Sequence, residues 1–90
     1  MKQKVAVHPR VNRRHPNVGV KEVISAWGNR LCTQRRDGLE ADHYVAVGFD
    51  LHGRLLEMIA VETDDGWLVF HAMRATRGIL KELGISGLGR

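Results

Sequence analysis

The stretch from His43 to Thr76, HYVAVGFDLHGRLLEMIAVETDDGWLVFHAMRAT, decides how this chain folds. Its first run, His43 to Phe49, alternates: Val45, Val47 and Phe49 fall on one side, Tyr44, Ala46 and Gly48 on the other, as in a half-buried strand. Asp50-Leu51-His52-Gly53 then supplies a short loop whose glycine can take the positive φ that closes a hairpin. Arg54 to Glu62 is apolar on both faces apart from Glu57, the pattern of a central strand covered on two sides. Asp64-Asp65-Gly66 makes the next turn, and Trp67 to Met73 the third strand, with Trp67, Val69, His71 and Met73 expected on one face. Thr76 is placed to cap a short helix, Arg77 to Leu83, that buries Ile79, Leu80 and Leu83 and stops at Gly84.

Working outward, Lys4 to His8 reads as an edge strand or an extended lead-in. Pro9 suits the first position of a one- or two-turn helix that Pro16 ends. Val20, Val23, Ile24, Trp27 and Leu31 recur at helical spacing, with Gly19 as a permissive cap and Glu22 in the first turn, where the helix dipole favours an acid. Trp27 on that stripe is a core anchor. Asp37 to Asp42 reads as a polar loop. The expected fold is therefore α+β: N-terminal helices, a three- or four-stranded antiparallel meander and a short C-terminal helix. Residues 1–85 form a single domain and 86–90 a glycine-rich tail that frays.

At these residues the chain resembles the BrnT-type toxins, ribonucleases of bacterial toxin-antitoxin operons with a small fold related to the RelE toxins. The matching elements are Tyr44-Val45-Ala46-Val47-Gly48, Gly53-Arg54 with the apolar strand behind it, and Val69-Phe70-His71-Ala72-Met73-Arg74-Ala75-Thr76. Asn12-Arg13-Arg14-His15 before a helix is similar to the family's upstream basic-His element, so the resemblance runs from about Asn12 to Leu83. Where the family has Ser-Ala-Arg-x-Ala-Thr, His71 stands in place of the Ser and Met73 in place of the Arg, with Arg74 next to it. The family's acid soon after the Thr is missing from its usual position. The resemblance implies a RelE/BrnT-like fold, RNA as the target, and neutralisation by an antitoxin encoded nearby.

Ninety residues give a small core, better suited to a binding surface than to a deep cofactor cavity. One cysteine, Cys32, cannot form an internal disulfide, and reads as a small, partly buried residue after the second helix. No signal-peptide stretch, membrane-spanning run or lipidation motif stands out, so the expected home is the cytoplasm, away from membranes. The charge is uneven. Met1 to Arg36 carries nine Lys or Arg against the single acid Glu22, whereas the remainder carries five against nine, within a net charge of +4. Arg10, Arg13, Arg14, Lys21, Arg35 and Arg36 are accordingly the candidate RNA contacts, with Tyr44 to stack a base or donate a hydrogen bond. A solvated cationic surface without a ligand is the competing reading of the same residues.

Cleaving RNA without a metal needs a base for the 2′-OH, cations for the phosphate and an acid for the departing 5′-oxygen. His71 is the first acid–base candidate and His15 the second. Arg54 and Arg74 are the phosphate candidates, because guanidinium binds phosphate through two parallel hydrogen bonds. Glu57 could serve as base or orient His71 from the neighbouring strand. Each has a structural alternative: a packed histidine, a residue at a helix end, a salt bridge to a turn aspartate, a cross-strand ion pair. The five histidines lie at no metal-ligand spacing, and no phosphate loop, nucleophile elbow or dinucleotide fingerprint occurs, so neither metal nor cofactor is expected. Two functions follow. One is a toxin-like, metal-independent endoribonuclease; the other is a non-catalytic RNA-binding or regulatory module that keeps the fold. Oligomeric state is open, with a homodimer among the options.

Overall fold

A computed structural model describes residues 4–37 and 42–85. The elements run β1 (Lys4–Val7), α1 (Arg10–Arg14), α2 (Val20–Gly28), β2 (Arg30–Arg36), β3 (His43–Phe49), β4 (Leu55–Thr63), β5 (Gly66–Arg74) and α3 (Arg77–Glu82). The strands form one sheet in the order β1-β5-β4-β3-β2. β2 to β5 make an antiparallel meander, while β1 lies parallel to β5, so the sheet is mixed and has five strands rather than the three or four of a pure meander.

The added strand, β2, comes from residues whose sequence shows no strand pattern. The second helix ends at Gly28, with Asn29 closing it through its N–H to the Ser25 and Trp27 carbonyls, so Leu31 leaves the expected helical stripe and starts the strand half exposed. Arg30–Arg36 is an edge strand, paired only with β3 and solvated along most of its length. A strand so exposed shows no apolar alternation, and charged residues on such an edge discourage stray pairing. The tail 86–90, Lys2 and residues 38–41 of the expected loop lie outside the described residues.

Helices cover both faces of the sheet. On one face α2 and the segment around α1 bury Val11, Val18, Val23, Ala26 and Trp27 against Ala46, Leu56, Met58, Ala60, Val69 and Ala72. On the other, α3 sets Ile79 and Leu83 on Val45 and Val47, with Cys32, Leu55 and Ile59 partly buried beside them. β4 is thus central and apolar on both sides, as its sequence requires. The turns also follow local chemistry: Gly53 has φ 76°, Gly84 ends α3 at φ 70°, and the Thr76 hydroxyl caps α3 by accepting the Ile79 N–H at 3.4 Å. Among the described residues no helix is long and apolar enough to cross a membrane.

Trp27 is 1% exposed and tilts against Trp67 at 5.2 Å between ring centroids, while its buried indole N–H meets no hydrogen-bond partner among the described residues. Trp27→Ala should therefore cost about 3–5 kcal/mol. Trp27→Phe, which loses no hydrogen bond, should cost well under half of that, as thermal unfolding of the two variants would show.

Candidate active site

One extra residue in β5 determines where His71 points. Ile59 pairs with His71 and the next residue of β4, Ala60, pairs with Val69, so Phe70 is a β-bulge without an opposite number. Before the bulge, Trp67 and Val69 pack on the α2 face. After it the parity is reversed: Ala72 takes the α2 face, and His71 and Met73 lie on the α3 face with Ile59 and Glu57, their register partners. The expectation that Trp67, Val69, His71 and Met73 share one face is thus overturned by a single inserted residue, and His71 is not a histidine packed beside Trp67.

Turned this way, the His71 Nε2–H donates to Glu57 Oε2 at 2.8 Å. The other oxygen, Glu57 Oε1, accepts from the Thr76 amide at 2.8 Å and from the Thr76 hydroxyl at 2.6 Å. A single carboxylate therefore joins the histidine to the N-cap of α3. The Glu57 side chain is 6% exposed and that of His71 28%. Burial opposes ionisation of Glu57, but the hydrogen bonds from His71 and from the Thr76 hydroxyl and amide outweigh it and hold the carboxyl below its ordinary range. An ionised carboxylate only accepts, so the proton on the His71–Glu57 bond belongs to Nε2, and in the neutral ring the lone pair lies on Nδ1. That nitrogen makes no hydrogen bond among the described residues.

His15 completes the cluster. β1 ends at Val7 opposite Val69, and α1 packs beside the rest of β5. A hydrogen bond from the Arg10 amide to His8 Nδ1 and the burial of Val11 hold α1 there. Its C-cap residue, His15, meets His71 edge to face with ring centroids 6.4 Å apart. Two imidazoles at that separation, each able to reach about 3 Å to an oxygen, can serve the two sides of one phosphodiester group. No group of three or more His, Cys, Asp or Glu side chains among the described residues could hold a metal ion.

Other candidates lie elsewhere. Arg54 donates its Nε–H to Asp50 Oδ2 at 2.8 Å and an Nη1–H to the Asn17 carbonyl at 3.0 Å. Asp50, 6% exposed, also accepts the Arg54 and His52 amides. Arg54 thus holds the β3–β4 turn to the segment before α2, the turn-aspartate salt bridge that was its structural alternative. Arg74 pairs with Leu56 and follows Ala72 in parity onto the α2 face, away from His71, and is exposed. From the residues alone Thr76 reads as a helix cap, Asp50 as a turn residue and Phe70 as an ordinary strand position. Glu57, an acid set among apolar residues on both sides in its strand, is the available signal for the network.

The basic residues of the N-terminal third divide between the two edges of the sheet. Arg10, Arg13 and Arg14 ride on α1 beside β5, whereas Arg35 and Arg36 sit on β2, about four strand spacings or 19 Å from β1. Arg35 pairs with Asp37 and Asp42 at 3.3 and 3.4 Å, and Arg36 grips Glu82 of α3. Lys21 is exposed on α2. Tyr44 packs edge-on against Trp67 at 5.0 Å on the α2 face. The α1 arginines thus share their short helix with His15, while Arg36, across the sheet, lies within electrostatic reach of Glu57.

Comparison of the chain with protein-family models, with curated proteins and with solved structures gives no match in any of the three.

Proposed function

We propose that this protein binds RNA and cleaves it without a metal ion, as a toxin-like endoribonuclease of the kind that His43 to Thr76 resembles. The observation that carries the reading is the convergence of His71, Glu57 and His15. His71 Nδ1 takes the proton of a ribose 2′-OH, and the imidazolium that forms is stabilised by the Glu57 carboxylate. The 2′-oxygen bonds to phosphorus, the P–O5′ bond breaks, and protonated His15 delivers a proton to the leaving 5′-oxygen. The products are a 2′,3′-cyclic phosphate and a 5′-hydroxyl. Arg13 and Arg14, on the same short helix as His15, provide positive charge for the backbone. A cytoplasmic location and an antitoxin encoded nearby belong to the same proposal.

Arg54 favours the rival reading, a non-catalytic RNA-binding module, because its guanidinium is spent on Asp50 and Asn17 instead of a phosphate. Cleavage of an end-labelled RNA in EDTA separates the two. His71→Ala should slow cleavage by its folded fraction about 100-fold or more, and should also lower the melting temperature because the buried Glu57 Oε2 loses its donor. Arg54→Ala should act through stability, lowering the melting temperature while the surviving folded protein still cuts. Salt-sensitive binding with no cutting by the wild type would decide for the module.

A further inference from the structure

The bulge turns His71 onto the α3 face, the face that Phe70 already takes by alternation with Trp67 and Val69. Phe70 has no partner in the β4–β5 ladder, and its ring meets that of His43 edge to face, with centroids 5.2 Å apart. His43 belongs to that face by strand parity, two residues before Val45, which packs under α3. Both rings are partly buried. α3 covers the sheet over Val45, Val47, Leu55 and Ile59, and the Phe70–His43 pair stands outside that cluster, in sequence contact with His71. In an edge-to-face pair at least one face of the phenyl ring is left free of its partner.

We propose that Phe70, steadied by His43, is a stacking site for an unpaired nucleobase next to the His71–His15 pair, so that the target is single-stranded RNA. This rests on the RNA-cleavage reading for its purpose and deepens it by naming the substrate class. Aromatic side chains bind single strands through the π-face that every base carries, with little regard to sequence. In a duplex those faces are already stacked on neighbouring bases, and an aromatic on a sheet cannot reach them. A bulge beside a reactive side chain does two things here: it aims the imidazole and puts an aromatic ring one residue away on the same surface. Met73, half exposed on that face, adds a polarizable thioether at its margin.

The test uses a short single-stranded 2′-O-methyl oligonucleotide, which cannot be cleaved through a 2′-OH, and a duplex of the same chemistry. The expected result is that the single strand shifts the Phe70 and His43 ring resonances, and that Phe70→Leu, which keeps apolar volume but loses the π-face, weakens its binding about tenfold. Duplex binding should be weaker in the wild type and unaffected by Phe70→Leu. Phe70→Ala, checked by its amide spectrum, should repeat the loss. Single-strand binding that leaves both rings unshifted, or that Phe70→Leu does not weaken, overturns the stacking site even where RNA is cleaved. Ring shifts without cleavage by the wild type would retain it and reject the catalytic reading instead.

Discussion

Gly48→Ala is expected to lower the melting temperature by about 15–25 °C. Gly48 sits buried in β3 where the C-terminal turn of α2 crosses the sheet, and a Cβ built there would collide with the Ala26 carbonyl oxygen and stand 3.2 Å from that of Asn29. Both obstacles are backbone, so no side chain can swing aside. Relief requires α2 to lift, taking Val23, Ala26 and Trp27 off the sheet. Overpacking of this kind costs about 3–4 kcal/mol, a large part of the roughly 5–15 kcal/mol that holds a small domain together. Gly28→Ala, at the end of the same helix, has nothing within 4 Å of the new Cβ and should be neutral or stabilising by up to about 1 kcal/mol. The two variants, measured side by side, separate close packing from helix propensity.

Glu57→Ala is expected to cost about 3 kcal/mol, or some 15 °C in melting temperature, because three donors lose their acceptor together: His71 Nε2–H and the amide and hydroxyl of Thr76. The loss reaches α3, since the same Thr76 hydroxyl caps that helix. Glu57→Gln keeps the shape and one carbonyl acceptor and should lose less. The pH dependence has a definite sign. The folded-state value of Glu57 lies below the ordinary 4.5, so its contribution is complete above 4.5 and disappears as pH falls through the lower folded value. Denaturation of the wild type and Glu57→Gln should show a gap that is constant near neutrality and narrows on acidification below 4.5. A gap that widened toward low pH would contradict the proposed charge state of the network.

Much of this arrangement is legible in the residues. The alternation of β3, the two apolar faces of β4, the Asp50–Gly53 turn and the Thr76 cap each have a local cause within a few residues, and the structure follows them. Trp27 and Val23 are read correctly as buried, whereas Val20 and Ile24, on the same expected stripe, are exposed. What escapes is whatever depends on pairing. β2 is invisible because an edge strand exposed along most of its length, with Cys32 and Arg36 alone partly buried toward α3, has no apolar period, and the helical spacing of Val20 to Trp27 extends by chance to Leu31. The parallel pairing of β1 with β5 is set by a partner more than 60 positions away. The Phe70 bulge leaves every residue type plausible for a strand and only changes which face each one takes, so counting by twos misplaces His71. The cationic N-terminal third likewise looks like one patch until the chain distributes it to opposite edges of the sheet. The proposed phosphate recognition would then fall to α1, whereas Arg54, well placed in sequence, serves the β3–β4 turn.

His71 and His15, with Glu57 behind the first, are proposed here as an acid–base pair for RNA. Its most direct test is the chemistry of the ends: a single-stranded RNA incubated with the purified protein in EDTA, with the fragments identified by mass. The expected termini are a 2′,3′-cyclic phosphate and a 5′-hydroxyl, absent when the residue 5′ to the cut is 2′-deoxy and strongly reduced for folded His71→Ala and His15→Ala. Intact RNA after incubation with the wild type, or cleavage that both histidine variants retain, would contradict the proposed pair.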